Sequence, residues 1–246
     1  MIRYAKPTSL EAALALLAEG SWRVLAGGTD FYPALGNRVP RENVLDVNGL
    51  RELRGISETP DHIIIGARTT WTDLIRHDLP AAFDGLKLAA REVGSVQIQN
   101  MASVAGNLCN ASPAADGVPP LLTLDAEVEI RSTGGIRLLP LDRFILGNRR
   151  TALQPGEMVT AIRIPKGATA GTSAFFKLGA RRYLVISIAM AAARLVVANG
   201  AIEQAMVAVG SCSAVARRLA GVETVLHGTA VADITAAIAA TEINEL

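Results

Sequence analysis

The chain has 246 residues, of which half are hydrophobic and 19% charged, with a formal net charge of +1 at pH 7. That length and apolar content allow one large domain or two modest ones around a substantial core and exclude a disordered chain. The near-zero net charge, with no block of like charges, excludes a protein built to bind nucleic acid through a basic stripe.

In chain order, Thr8 is positioned to cap a helix carrying Leu10, Leu14, Leu16 and Leu17 that closes at Gly20. The opening Met1-Ile2-Arg3-Tyr4-Ala5-Lys6 leads into Pro7 and not into an apolar run, so no secretory signal is expected. Trp22 to Ala26 reads as a strand delivering Gly27 and Gly28. Asp30-Phe31-Tyr32 then opens a turn or short helix reaching Gly36-Asn37, and Val44 to Val47 reads as a second strand. Residues up to about 55 therefore form a small β-α-β-like unit.

The larger unit, 56–168, begins with a buried strand at Ile63-Ile64-Ile65. Thr70 or Thr72 caps a helix through Leu74 and Ile75, and a longer helix is expected from about Pro80 to Glu92. From Ser103 the chain reads as a loop with few regular signals until a strand around Val128-Glu129-Ile130. Gly134-Gly135 turns that strand into Ile136 to Leu139, and residues 158–164 alternate like a strand toward Pro165. Lys166 to Gly171 is small and turn-forming, which places a domain boundary near residue 168.

The second domain, 169–246, opens with a strand at Ala174 to Leu178. The longest apolar stretch, Leu184 to Ala193, is too short to span a bilayer and is expected to be a buried element. Asn199-Gly200 between two apolar runs signals a type I′ hairpin. Ala214 to Leu226 has helical spacing, and Val231 to Ala240 forms a final alanine-rich helix. The class is α+β in two domains.

The arginine pairs Arg149-Arg150, Arg181-Arg182 and Arg217-Arg218 are isolated and read as solvated faces, set against a phosphate or partner contact. Cys109 and Cys212 cannot by themselves hold an iron–sulfur cluster or a four-ligand zinc site. His62, His77 and His227 lack metal-ligand spacing, so no metal site is expected. Any redox chemistry needs an organic cofactor. A cytoplasmic protein with no membrane span is expected, its two distant cysteines unpaired.

Two stretches carry the functional signal: Ala26-Gly27-Gly28-Thr29-Asp30, following Val24-Leu25, and Ser103-Val104-Ala105-Gly106-Asn107, continuing to Asp116. Each offers closely spaced N–H groups with little side-chain bulk, which suits a phosphate. Neither the G-x-G-x-x-G nor the G-K-[ST] pattern is present. The pair therefore suggests a diphosphate held between two loops; Gly27-Gly28 alone would equally be a tight turn.

These two stretches resemble the FAD-binding loops of the flavoprotein subunit of the molybdenum hydroxylases, the family of the carbon monoxide dehydrogenase medium subunit and the xanthine dehydrogenase FAD domain. The likeness continues through Pro140 to Phe144, Pro155-Gly156-Glu157, Ile162 to Pro165, Phe176-Lys177, Arg181-Arg182, Ala189 and Val209-Gly210, in the family's order and over essentially the whole chain. It implies a two-part FAD-binding domain of the type shared with vanillyl-alcohol oxidase-like flavoproteins, followed by a small α+β domain.

The resemblance also implies FAD held by Val24, Leu25, Ala26, Gly27, Gly28, Thr29, Asp30 and Phe31 on one side of the diphosphate. Ser103, Val104, Ala105, Gly106 and Asn107 would hold the other, with Asp116 on ribityl or ribose hydroxyls. Val93 and Val159 would lie near the cofactor, and Lys177 near the flavin. Asp116 could equally be a turn cap, and Lys177 a strand-edge lysine.

Two departures stand out: Ala105 replaces the first of two adjacent glycines, and the chain stops at Leu246, short of a further arginine-bearing segment and helix. The four-cysteine insertion of 4-hydroxybenzoyl-CoA reductase is missing.

The implied activity is electron transfer as an oxidoreductase subunit without a catalytic side chain. Electrons would come from [2Fe–2S] centres on a small partner subunit, supplied by a molybdenum cofactor on a large one, and leave to an external acceptor. A stand-alone flavin oxidoreductase and a non-redox nucleotide-binding assembly protein remain the rival readings.

Overall fold

The computed structural model describes residues 2–243. A three-stranded parallel sheet orders Tyr4–Ala5, Asn43–Asp46 and Trp22–Leu25, with Asn43–Asp46 in the middle. The Leu10–Glu19 helix covers it through Leu10, Ala13, Leu14 and Leu17, which pack with Trp22, Leu45, Val47 and Leu50. The cap of this helix is Ser9 and not Thr8; its hydroxyl accepts from Ala12 N at 3.3 Å. Parallel strands need crossovers: Leu10–Glu19 carries the chain from one edge strand to the other, and the segment with the Phe31–Leu35 helix returns it to the middle strand.

The larger unit is a five-stranded antiparallel sheet in the order Ile56–Glu58, His62–Gly66, Met158–Pro165, Glu127–Ser132, Gly135–Pro140. Met158–Pro165 is its centre, so it is buried at nearly every position and not alternately as its sequence suggests. A register shift between Val159 and Ala161 leaves Thr160 bulged, with its hydroxyl donating to Glu129 Oε1 at 2.8 Å.

The stretch from Ser103 expected to be a loop contains two short helices, Val104–Asn110 and Val118–Thr123, and a third, Val96–Met101, directly precedes it. Ser95 caps Val96–Met101 and Ser103 caps Val104–Asn110, each accepting a backbone N–H three residues on. Single turns of this kind leave almost no periodicity to read. The helix expected from Pro80 is a 3-10 turn, Ala81–Phe83, running into Asp84–Glu92.

The C-terminal sheet orders Thr172–Leu178, Ala189–Ala198, Ala201–Gly210 and Arg217–Arg218. Asn199 and Gly200 both have positive φ, 52° and 79°, as a type I′ turn requires. Three expectations are corrected here. Leu184, Ile186 and Ile188 are exposed (55%, 78% and 59%), so Leu184 to Ala193 is not one buried element and the strand begins only at Ala189.

Arg217–Arg218 is an edge strand, leaving the helix as Ala220–Leu226; Arg218 is no solvated arginine, donating to Glu223 Oε2 at 2.8 Å and Asp125 Oδ1 at 2.9 Å. The last helix is a 3-10 turn, Val231–Asp233, followed by Ile234–Ala239.

The C-terminal sheet lies against the rest of the chain through buried polar contacts. Arg194, 1% exposed, donates from Nε to the Thr123 carbonyl at 2.8 Å, and Ser173 Oγ accepts from Gly85 N at 2.8 Å. Among the described residues, no helix is long and apolar enough to cross a membrane, and no group of His, Cys, Asp and Glu could hold a metal ion.

Candidate functional site: a cleft between two backbone loops

The first glycine stretch leaves the carboxyl edge of the parallel sheet, directly after Trp22–Leu25. Ligands bind open parallel sheets at this edge. Gly27 packs against the end of the Val96–Met101 helix so closely that a Cβ would lie 2.0 Å from the Met101 carbonyl oxygen. Gly28 has φ 74°, where a Cβ would also meet the Tyr32 ring at 2.7 Å. Among the described residues, the N–H groups of Gly27, Gly28 and Thr29 have no protein acceptor. The turn is therefore required twice over, by backbone approach and by conformation, and it leaves its donors pointing away from the protein's own acceptors.

A polar relay holds this turn from beneath. Asn48 Nδ2 donates to the Ala26 carbonyl and to Asp46 Oδ1, both at 2.8 Å. Arg68 donates to Asn48 Oδ1 at 3.2 Å and to the Leu50 carbonyl at 2.8 Å. Burial lowers the Arg68 pKa from its ordinary value. Asp46 is buried too, but hydrogen bonds from Tyr4 and Asn48 more than offset that burial and hold its carboxyl below the usual range.

The second stretch is the start of a helix. Ser103 Oγ accepts from Gly106 N at 3.1 Å, so this amide is already satisfied, and Val104 N donates to the Thr69 carbonyl at 3.0 Å. Ala105 is 3% exposed inside the helix with an ordinary φ, and its methyl joins the core. The second loop thus contributes a capped helix start and not the free turn its sequence suggests.

Between the two lies a cleft of about 530 Å³, within the roughly 300–1,000 Å³ of small-molecule and cofactor sites. Of the expected residues, Val24, Ala26, Gly27, Gly28, Thr29, Asp30, Phe31, Val93, Ser103, Ala105, Gly106, Asn107 and Val159 line it. Leu25 and Val104 do not; they are buried in the hydrophobic clusters behind the two loops.

Asp116 and Lys177 do not line the cleft either. They pair with each other at 2.7 Å, nearly buried, where the C-terminal sheet meets the Asp84–Glu92 helix. Asp116 also accepts from Ser187 Oγ at 2.6 Å, and Lys177 Nζ reaches the Glu92 carbonyl at 3.4 Å. Burial raises the Asp116 pKa, opposed by the bonds from Lys177 and Ser187. Lys177 instead lines a second depression of about 590 Å³, with Arg91, Arg181 and Arg182.

The cleft includes residues that the sequence did not single out: Arg23, Arg68, Trp71, Ile98 and Arg149. Arg149 was visible only as half of an arginine pair, and Arg68 and Trp71 only as neighbours of a strand end and a helix cap. Arg68 Nε, Trp71 Nε1 and Asn107 Oδ1 are buried with no hydrogen-bond partner among the described residues. Buried polar atoms without partners are rare and costly, and all three here belong to residues that line this one cleft. Free N–H groups and three arginines suit a diphosphate, and the Val93, Val159 and Trp71 walls suit rings. The donor set fits a dinucleotide such as FAD.

Fold and cleft together define a protein whose first glycine turn and second, capped helix start suit a diphosphate-bridged nucleotide. Residues 1–167 match the family described as the FAD binding domain in molybdopterin dehydrogenase. The chain belongs to that family.

It is 36% identical over 190 residues to the nicotinate dehydrogenase FAD-subunit of Eubacterium barkeri, covering 74% of this chain and 64% of that one. It is 35% identical over 217 residues to the putative xanthine dehydrogenase FAD-binding subunit XdhB of Escherichia coli K12, covering 84% and 73%. The chain thus spans only about two thirds of the length of these relatives. Among solved structures, carbon monoxide dehydrogenase from Hydrogenophaga pseudoflava superposes with a TM-score of 0.87 at 30% identity, over 100% of this chain and 88% of that one.

Proposed function

We propose that this chain is the FAD-binding electron-transfer subunit of a multi-subunit molybdenum hydroxylase. Its role is to pass electrons between [2Fe–2S] centres on a small partner subunit and an external acceptor, with the molybdenum cofactor on a large partner subunit. The observation that carries the reading is the cleft itself: one backbone turn with free donors facing a capped helix start, in a chain that superposes over its own length on a carbon monoxide dehydrogenase chain.

Bound FAD supplies the redox chemistry, which the protein tunes and does not perform. The chain's own residues bind and orient. Gly27, Gly28 and Thr29 present N–H donors, Asn48 and Arg68 hold the Ala26 carbonyl in place, and Val93 and Val159 exclude water. The Lys177–Asp116 pair lies outside the cleft, beside the second depression, and ties the C-terminal sheet to the rest of the chain. The same reading includes the two-part fold shared with vanillyl-alcohol oxidase-like flavoproteins, and a cytoplasmic setting, consistent with two free cysteines.

Expression of the full chain, with and without candidate partner subunits, tests this. A flavin spectrum after reconstitution with FAD, together with retention of iron–sulfur and molybdenum subunits, is expected. Flavin without such partners favours a stand-alone flavin oxidoreductase, and no flavin uptake removes both readings.

A further inference from the structure

We propose that Arg149 is a diphosphate-binding latch across the mouth of the cleft, an inference that rests on the FAD-binding reading above. The short hairpin of Ile145–Gly147 and Arg150–Thr151 carries Arg149 at its turn, where φ is 58°. A non-glycine residue is unfavourable in this left-handed region, so the surrounding structure must hold it there. What holds it is the second loop's helix: Arg149 N donates to the carbonyl of Ala111, the residue that ends Val104–Asn110, at 2.9 Å. From that anchor the side chain crosses the cleft. Its Nη1 donates to Asn110 Oδ1 on the near side and to Asp30 Oδ2, at 2.6 Å, on the far side.

The crossing contact is weakly held. Arg149 and Asp30 are 56% and 50% exposed, and ion pairs so open to solvent are screened and add little. A diphosphate offers more charge and the same fork geometry, so it displaces a lone carboxylate from guanidinium readily. Arg149 also resolves an electrostatic conflict. Asp30 sits on the phosphate-binding turn, where an unneutralised carboxylate repels the ligand. The latch closes the mouth on Asp30 and Asn110, then exchanges Asp30 for a phosphate oxygen while its backbone anchor stays fixed.

The test is equilibrium binding of FAD to the FAD-depleted full chain at low and high salt. Wild type, R149Q, R149K and D30N are compared, with thermal unfolding of each. R149Q is expected to bind FAD roughly ten- to hundredfold more weakly, the scale of one charge-assisted hydrogen bond, and with a shallower salt dependence. R149K should recover part of the loss, and D30N should bind at least as tightly as wild type. R149Q binding like wild type, or D30N losing as much as R149Q, overturns the latch while leaving the FAD reading intact. A wild-type chain that takes up no FAD overturns both.

Discussion

Gly27 and Met101 meet backbone to backbone: a Cβ on Gly27 would lie 2.0 Å from the Met101 carbonyl oxygen and 2.6 Å from its carbon. No rotamer change relieves such a clash, because the obstacle is main chain at the end of a helix. Gly106 is different, since a Cβ there would meet only the Ser103 hydroxyl at 2.9 Å.

The two glycines should therefore respond differently to alanine. Gly27→Ala is expected to destabilise the chain by about 1–3 kcal/mol or more, the scale of overpacking, and to abolish FAD uptake by splaying the first turn. Gly106→Ala, in a helix, should leave the fold within about 1 kcal/mol of wild type and weaken FAD binding by crowding the cleft. Thermal unfolding paired with an FAD titration measures both. An unfolding temperature for Gly27→Ala equal to wild type contradicts the clash.

Asn48 lines no part of the cleft, yet its amide holds the Ala26 carbonyl and its Oδ1 receives Arg68. Asn48→Leu should weaken FAD binding roughly tenfold or more while leaving Arg68 with an unmet donor, at about 1–3 kcal/mol of stability. Calorimetric titration of FAD into the variant reads the first effect and denaturant unfolding the second. Full affinity in a stable variant shows that the relay does not position the turn.

Trp71 is fully buried, with its indole Nε1 unpartnered on the cleft, whereas Trp22 packs under the Leu10–Glu19 helix. FAD binding should quench the fluorescence of Trp71 far more than that of Trp22. Titrations of Trp71→Phe and Trp22→Phe separate the two contributions. Quenching that survives in Trp71→Phe and disappears in Trp22→Phe places the ligand elsewhere.

The Lys177–Asp116 pair gives a pH signature. Burial raises the Asp116 pKa in the folded chain above its unfolded value. A carboxyl with a raised folded pKa binds its proton more tightly when folded. Its contribution to stability is therefore full below the unfolded value and lost as pH rises through the folded one. Lys177→Met removes the cation that restrains this shift, so the folded pKa rises further. The variant should be closest to wild type in acid and fall behind as pH increases toward neutral. Denaturant midpoints measured in acid and near neutral pH check this; a deficit that shrinks with rising pH contradicts it.

Much of the molecule was legible because local patterning and tertiary context agree. The Leu10 to Leu17 stripe, the Ile63 to Ile65 strand and the Asn199-Gly200 turn each have one physical reading, and the structure adopts it. The short helices after Ser95 and Ser103 were missed because single turns carry no periodicity, and Ala214 to Leu226 misled because edge-strand pairing to 208–209 overrides helical spacing at Arg217–Arg218. Leu184 to Ile188 looked like core from composition alone, but hydrophobicity does not say which face a residue meets.

The sequence by itself singled out two small-residue stretches suited to an anionic ligand, since side-chain bulk and backbone freedom are local properties. Only the tertiary structure decided which groups join them. Arg149 reaches Asp30 across 119 residues of chain, Arg68 reaches Asn48 across 20, and Asp116 finds Lys177 rather than the cleft. Such partnerships depend on where the sheets bring distant elements together. Spacing along a chain does not encode that distance.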